Sequence, residues 1–231
     1  MTQDVETRPY PTGWWLGSRQ FSMVELVADG VVHIIGLLTA AVLGTVLLVF
    51  AFTGTALAEI PALIVYLATL FLVLSISLAY NLWSPHSPHK HIWARLDQAA
   101  IFLFIAGTYT PLLAVLGDTP VASMLTVFVW ATAIVGIALK LIVPERFGKL
   151  AIMLYLAIGW SGVLAFQTLA SSLPAATLWL LVAGGVTYSL GIIFHLWDKL
   201  LFQNVLWHVF VVAGATLHLV AILHCMVISR L

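Results

Sequence analysis

The sequence predicts an all-α protein, a bundle of seven transmembrane helices with its amino terminus in the cytoplasm and its carboxyl terminus outside. Of 231 residues, 62% are hydrophobic and 8% charged, far from the composition of an ordinary soluble domain. Seven apolar runs are long enough to cross a bilayer, since about 20 residues of helix cover about 30 Å of hydrocarbon. The runs are continuous rather than alternating, which favours helices over a barrel.

Residues 1–22 are read as a cytoplasmic arm. Asp4, Glu6, Arg8 and Arg19 surround Pro9 and Pro11, which is not the layout of an export signal. The pair Trp14 and Trp15 is expected to anchor this arm at the headgroup level. Residues 23–231 form one membrane domain. Its spans are read as Leu26 to Phe52, Pro61 to Trp83, Leu96 to Leu116, Val121 to Ile142, Leu150 to Ala170, Ala175 to Trp197, and Gln203 to Ile228. Short connections make successive helices antiparallel neighbours. Pro111 in the third span and Gly184 and Gly185 in the sixth are expected to kink a helix or admit a close neighbour.

Orientation follows from the basic residues, which cytoplasmic loops retain. Arg8, Arg19, Lys90, Arg95, Lys140, Arg146, Lys149 and Lys199 all fall on one side. The opposite loops hold Glu59 and Asp118, with Arg230 at the far end. A formal net charge of zero gives no reason to expect a nucleic-acid partner. A single cysteine, Cys225, excludes an intrachain disulfide framework and a cysteine-based zinc site.

Ionisable groups are costly in hydrocarbon, so a chain that keeps them there buries them against partners, water or a metal. Glu25, Asp29 and His33 recur every four residues on one face at the start of the first span. Ser77 and Asn81 repeat that spacing near the end of the second. Asp97 opens the third span, His195 closes the sixth, and Asn204 and His208 open the seventh. Five helices thus bring polar side chains to the cytoplasmic half of the bundle, and a cavity lined by Glu25, Asp29, His33 and His195 is expected there. The alternative is that these residues snorkel into interfacial water. His218 lies about 15 Å deeper than His208, too far to share its contacts, and is assigned to packing or interhelical hydrogen bonding. His224 is placed near the outer surface. His86, His89 and His91 share a proline-containing loop with Lys90 and are read as solvated rather than metal-binding.

The blocks LDQAAIFLFIAGTYTP at 96–111, SLAYN at 77–81, ELVADGVVHIIG at 25–36, GGVTYSLGIIF at 184–194 and NVLWHVFVVAGATLH at 204–218 resemble the bacterial hemolysin III family. That family is related to the progestin and adipoQ receptors, which include the adiponectin receptors. The likeness covers all seven spans. It implies a bacterial inner-membrane protein linked to lipid and fluidity homeostasis, within a superfamily whose members resemble zinc-dependent hydrolases of lipid amides. The family pattern places Ser and His four apart on the second span, Asp on the third, and two His four apart on the seventh. Carried over, Ser77 matches the Ser, Asp97 the Asp and His208 the second His. Asn81 and Asn204 stand at the other two His positions, and Gln98 follows the Asp where the family tends to have His.

These departures fall on the chemistry and leave the scaffold intact. Amide oxygens are neutral, weak donors compared with imidazole, so the expected zinc site, reduced to Asp97 and His208, is lost or weakened. The leading reading is a lipid-binding or membrane-homeostasis factor whose partners are membrane lipids. An alternative keeps a zinc-dependent hydrolase of lipid amides or esters, with Ser77 and Asp97 as catalytic residues and His33, His195 or Glu25 recruited to the metal. A second alternative is a transporter or channel, disfavoured because no charged stripe reaches the outer side.

Overall fold

A computed structural model describes residues 21–54, 57–83, 87–143 and 148–230, and these residues are mostly helical, with no strand among them. The arm with Trp14 and Trp15, together with His86 and Arg146, lies outside the described residues. Among the described residues, seven helices are long and apolar enough to cross a membrane. They are built from α1 (Met23–Gly54), α2 (Ile60–Leu82), α3 (Lys90–Val115), α4 (Pro120–Ile142), α5 (Gly148–Gly159) with α6 (Phe166–Ser172), α7 (Ala175–His195) and α8 (Gln203–Met226). Large apolar side chains such as Val42, Phe128, Met153, Trp179 and Ile193 point outward, as a hydrocarbon solvent requires.

Helix α1 shows how the bundle closes. Its buried residues are Glu25, Asp29, Gly30, His33, Gly36, Ala40, Gly44, Leu47 and Ala51, a single seam of mostly small side chains running its full length. Small residues let backbones approach closely, which replaces the missing hydrophobic drive between helices in lipid. The seam packs on α2 and α8. From there α8 packs on α7, α2 on α3, and α3 on α4, while α5 sits against α3 and α4. At the opposite end, Arg230 donates to both carboxylate oxygens of Glu59, at 2.5 and 3.2 Å, and ties the last turn to the connection between α1 and α2.

Two boundaries differ from the sequence reading. Helix α3 starts at Lys90, six residues before Leu96. The Lys90 ammonium donates to the Tyr80 and Trp83 carbonyls at the end of α2, so this charge caps a helix within the bundle. The fifth span, expected to be continuous, breaks after Gly159 into a 3₁₀ turn, Ser161–Ala165, before α6. The Tyr109 hydroxyl fills the break, donating to the Gly159 carbonyl at 2.8 Å and accepting from the Gly162 N–H at 2.9 Å. A freed backbone pair inside a membrane needs such a partner. By contrast, α3 runs unbroken through Pro111.

Candidate functional site at the buried polar layer

Asp29 and His33 occupy successive turns of the α1 seam, and His208 enters from the start of α8. Their exposures are 1%, 1% and 5%. His208 donates from Nδ1 to Asp29 Oδ1 at 2.6 Å. His33 donates from Nδ1 to the Asp29 main-chain carbonyl at 2.8 Å and stands 3.6 Å from Asp29 Oδ2. A carbonyl only accepts, so the His33 proton is fixed on Nδ1 and a neutral ring keeps its lone pair on Nε2. The two imidazoles meet edge to face with centroids 4.4 Å apart. One ligand atom from each of Asp29, His33 and His208 lies within 4.8 Å of the others. Asp29 Oδ2 is buried and has no hydrogen-bond partner among the described residues.

The second imidazole nitrogen of His208, Nε2, lies 3.4 Å from Ser77 Oγ on α2. Asp97 on α3 lines the same space as Ser77 and His208. Asn204 donates to Asn81 Oδ1 at 3.0 Å, and Asn81 donates to the Ser77 carbonyl at 2.9 Å. Four helices therefore meet at this level through Asp29 and His33, Ser77 and Asn81, Asp97, and Asn204 and His208. Gln98, next to Asp97, is turned away. Its side-chain oxygen accepts from Lys140 of α4 at 2.5 Å and its carbonyl from Tyr155 of α5 at 2.7 Å.

Glu25 and His195 stand apart from this group. Glu25 accepts from the Ser22 N–H at 2.9 Å and from the Phe202 N–H at 2.9 Å, clamping the start of α1 to the turn before α8. Phe202 is left-handed there, with φ of 58°. His195 packs its ring 4.9 Å from that of Trp207. His224 bonds the buried Thr177 hydroxyl at 2.9 Å.

Beside the polar layer opens a cavity with about 150 Å³ of free space. His33, Ser77, Asp97 and His208 line one end, while Asp29 stands behind the two imidazoles. The walls are apolar, including Ile101, Phe104, Ile192 and Val211. The far end holds Tyr109, Trp160, Ser189 and His218. His208 and His218 thus mark opposite ends of one space about 15 Å long. His218 donates to the Leu181 carbonyl at 3.2 Å, and a Cβ on Gly184 would lie 2.5 Å from its ring. The Trp160 indole donates to Ser189 of α7 at 3.1 Å, bridging a seam where α5 and α7 make no extensive contact. Tyr109, Trp160 and Ser189 escaped the sequence reading. The available signal was the pair Gly159 and Gly162 flanking Trp160 and Ser161 inside an apolar run.

Seven apolar helices among the described residues, packed around a largely apolar cavity, define an integral membrane protein. The family model described as "Haemolysin-III related" matches residues 21–219. The chain belongs to the hemolysin III family. It is 34% identical to Hemolysin-3 of Bacillus cereus over 194 residues, covering 84% of this chain and 88% of that relative. It is 35% identical to the Hemolysin-3 homolog of Bacillus subtilis (strain 168) over 196 residues, covering 84% and 91%. The human Monocyte to macrophage differentiation factor is 30% identical over 134 residues, or 58% of this chain and 55% of that protein. No solved structure matches the chain.

The zinc positions expected from the resemblance do not fit a tight metal site here. Asn81 Oδ1, the atom able to donate to a metal, already accepts the Asn204 amide. The Asn81 amide in turn donates to the Ser77 carbonyl, and both side chains are neutral. The buried donors that do converge are Asp29, His33 and His208.

Proposed function

We propose that this protein is a lipid-binding factor of membrane homeostasis in a bacterial inner membrane, with the polar layer on the cytoplasmic side. One observation carries the reading: an elongated, largely apolar cavity ends on the polar side chains of His33, Ser77, Asp97 and His208. At the far end Tyr109 bonds Gly159 and Gly162, Trp160 bonds Ser189 and His218 bonds Leu181, so the layer is the end that suits an amphiphile's polar group, with its chain along Ile101, Phe104, Ile192 and Val211. Native mass spectrometry of protein purified in mild detergent tests it. Wild type retains one amphiphile per chain, and Ile101→Trp, which fills the cavity, loses it. An Ile101→Trp protein that folds and keeps the same lipid would contradict the reading.

A second reading, hydrolysis of the bound lipid's ester or amide, is favoured by the chain Asp29–His208–Ser77. The carboxylate holds the Nδ1 proton, and Nε2 faces the serine hydroxyl. In this arrangement the imidazole accepts a proton from the hydroxyl or from a water. Release of fatty acid from ceramide-like amides and from esters, lost in His208→Ala, is the expected result. Equal turnover in wild type and variant would remove it.

A further inference from the structure

We infer that the amphiphile held in this cavity carries a primary ammonium as its polar head, so that the site takes a long-chain amine in preference to a carboxylate or a phosphate lipid. The inference rests on the lipid reading and gives that site its head-group chemistry. The placement of protons decides it. His33 directs its Nδ1 proton to the Asp29 carbonyl, and His208 directs its own to Asp29 Oδ1, which leaves a lone pair on each Nε2. The Ser77 hydroxyl, 3.4 Å from His208 Nε2, is the donor that meets the second of these, and its oxygen keeps lone pairs of its own. His33 is 1% exposed and lines the cavity, and its Nε2 receives no hydrogen bond from the described residues. The side chains at this end, His33, Ser77 and the Asp97 carboxylate, therefore offer acceptors. An alkylammonium brings three N–H donors and no acceptor.

Charge points the same way. Asp97 faces the cavity, and Asp29 stands behind the two rings with Oδ2 buried and without a hydrogen-bond partner among the described residues. With one proton on each ring both imidazoles are neutral. Among the described residues no Lys or Arg pairs with either carboxylate or lines the cavity. Lys90 gives its protons to the Tyr80 and Trp83 carbonyls instead. A charge without its counter-charge in apolar surroundings is costly, and attraction to one is stronger there than in water. A cationic head supplies the missing charge, whereas a carboxylate or phosphate would add to the excess. A hydroxyl head would meet one acceptor and leave the charge as it is.

Competition in the full-length, delipidated protein in digitonin tests this. The probe is a long-chain primary amine with a diazirine in its chain, and the readout is label on Ile101 and Phe104. Dodecylamine, dodecanol, dodecanoate and dodecyltrimethylammonium differ only in the head, and their shared chain, about 15 Å when extended, matches the cavity. Dodecylamine is expected to compete at least about tenfold better than each of the other three, the difference that one charge-assisted hydrogen bond makes. Asp97→Asn and His33→Phe each remove most of its preference over dodecanol, with dodecanol itself competing as in wild type. Equal competition by any of the other three in wild type overturns the inference, whether or not the variants fold, and leaves the lipid reading standing. So does a preference that persists in both folded variants. A probe that labels neither Ile101 nor Phe104 overturns it too, and the amphiphile retained in native mass spectra then decides the lipid reading by itself.

Discussion

Glu25 shows how one residue's surroundings decide its role. It shares a helix face with Asp29 and His33, and the four-residue spacing made that face legible from sequence alone. Spacing along one helix carries no information on what the other helices present to each turn. Glu25 meets the Ser22 and Phe202 N–H groups and closes a turn, whereas Asp29 one turn later meets an imidazole. Glu25→Ala leaves the Phe202 N–H unsatisfied beside a left-handed backbone and is expected to lower stability by about 1–3 kcal/mol, read as a fall in Tm in detergent. Glu25→Gln, which keeps an acceptor oxygen, loses less. Asn81 and Asn204 were equally visible as departures from the family pattern. That their amides bond each other could be seen only once α2 and α8 were placed side by side.

Among the elements, the broken fifth span was the least legible. Residues 150–170 read as one apolar helix because hydropathy does not report where the backbone ladder is interrupted. The interruption is sustained by a side chain from another helix, Tyr109 of α3, which bonds both sides of the gap. Tyr109→Phe removes those bonds and is expected to destabilise the protein by about 2 kcal/mol, since each is worth about 1 kcal/mol. It should also speed hydrogen exchange at 159–163 over that of α3. Gly184 was expected to kink its helix or admit a close neighbour, and the neighbour it admits is α8. A Cβ there would sit 2.5 Å from the His218 ring, so Gly184→Ala is expected to cost about 1–3 kcal/mol by overpacking. Adding His218→Ala should recover most of that loss in the same thermal scan.

For the whole molecule, the number of spans and their apolar outer face were written in composition and run length, because the bilayer imposes both on any helical protein. The cavity was legible only at its polar end. Its depth comes from the way α5 and α7 stand apart, bridged by Trp160 and Ser189, a tertiary feature with no periodic signature. A lipid held in that space at about a hundred times its Kd would stabilise the fold by about 2.7 kcal/mol. Delipidated protein is therefore expected to melt lower and to regain its Tm when the lipid is restored.

Photo-crosslinking with a lipid carrying a diazirine in its acyl chain, followed by peptide mapping, tests the lipid-binding account most directly. The account predicts labels on cavity residues Ile101, Phe104, Ile192 and Val211, competed by unlabelled lipid and lost in Ile101→Trp. Labels confined to outward residues such as Val42, Phe128 and Met153, and insensitive to competitor, would contradict it.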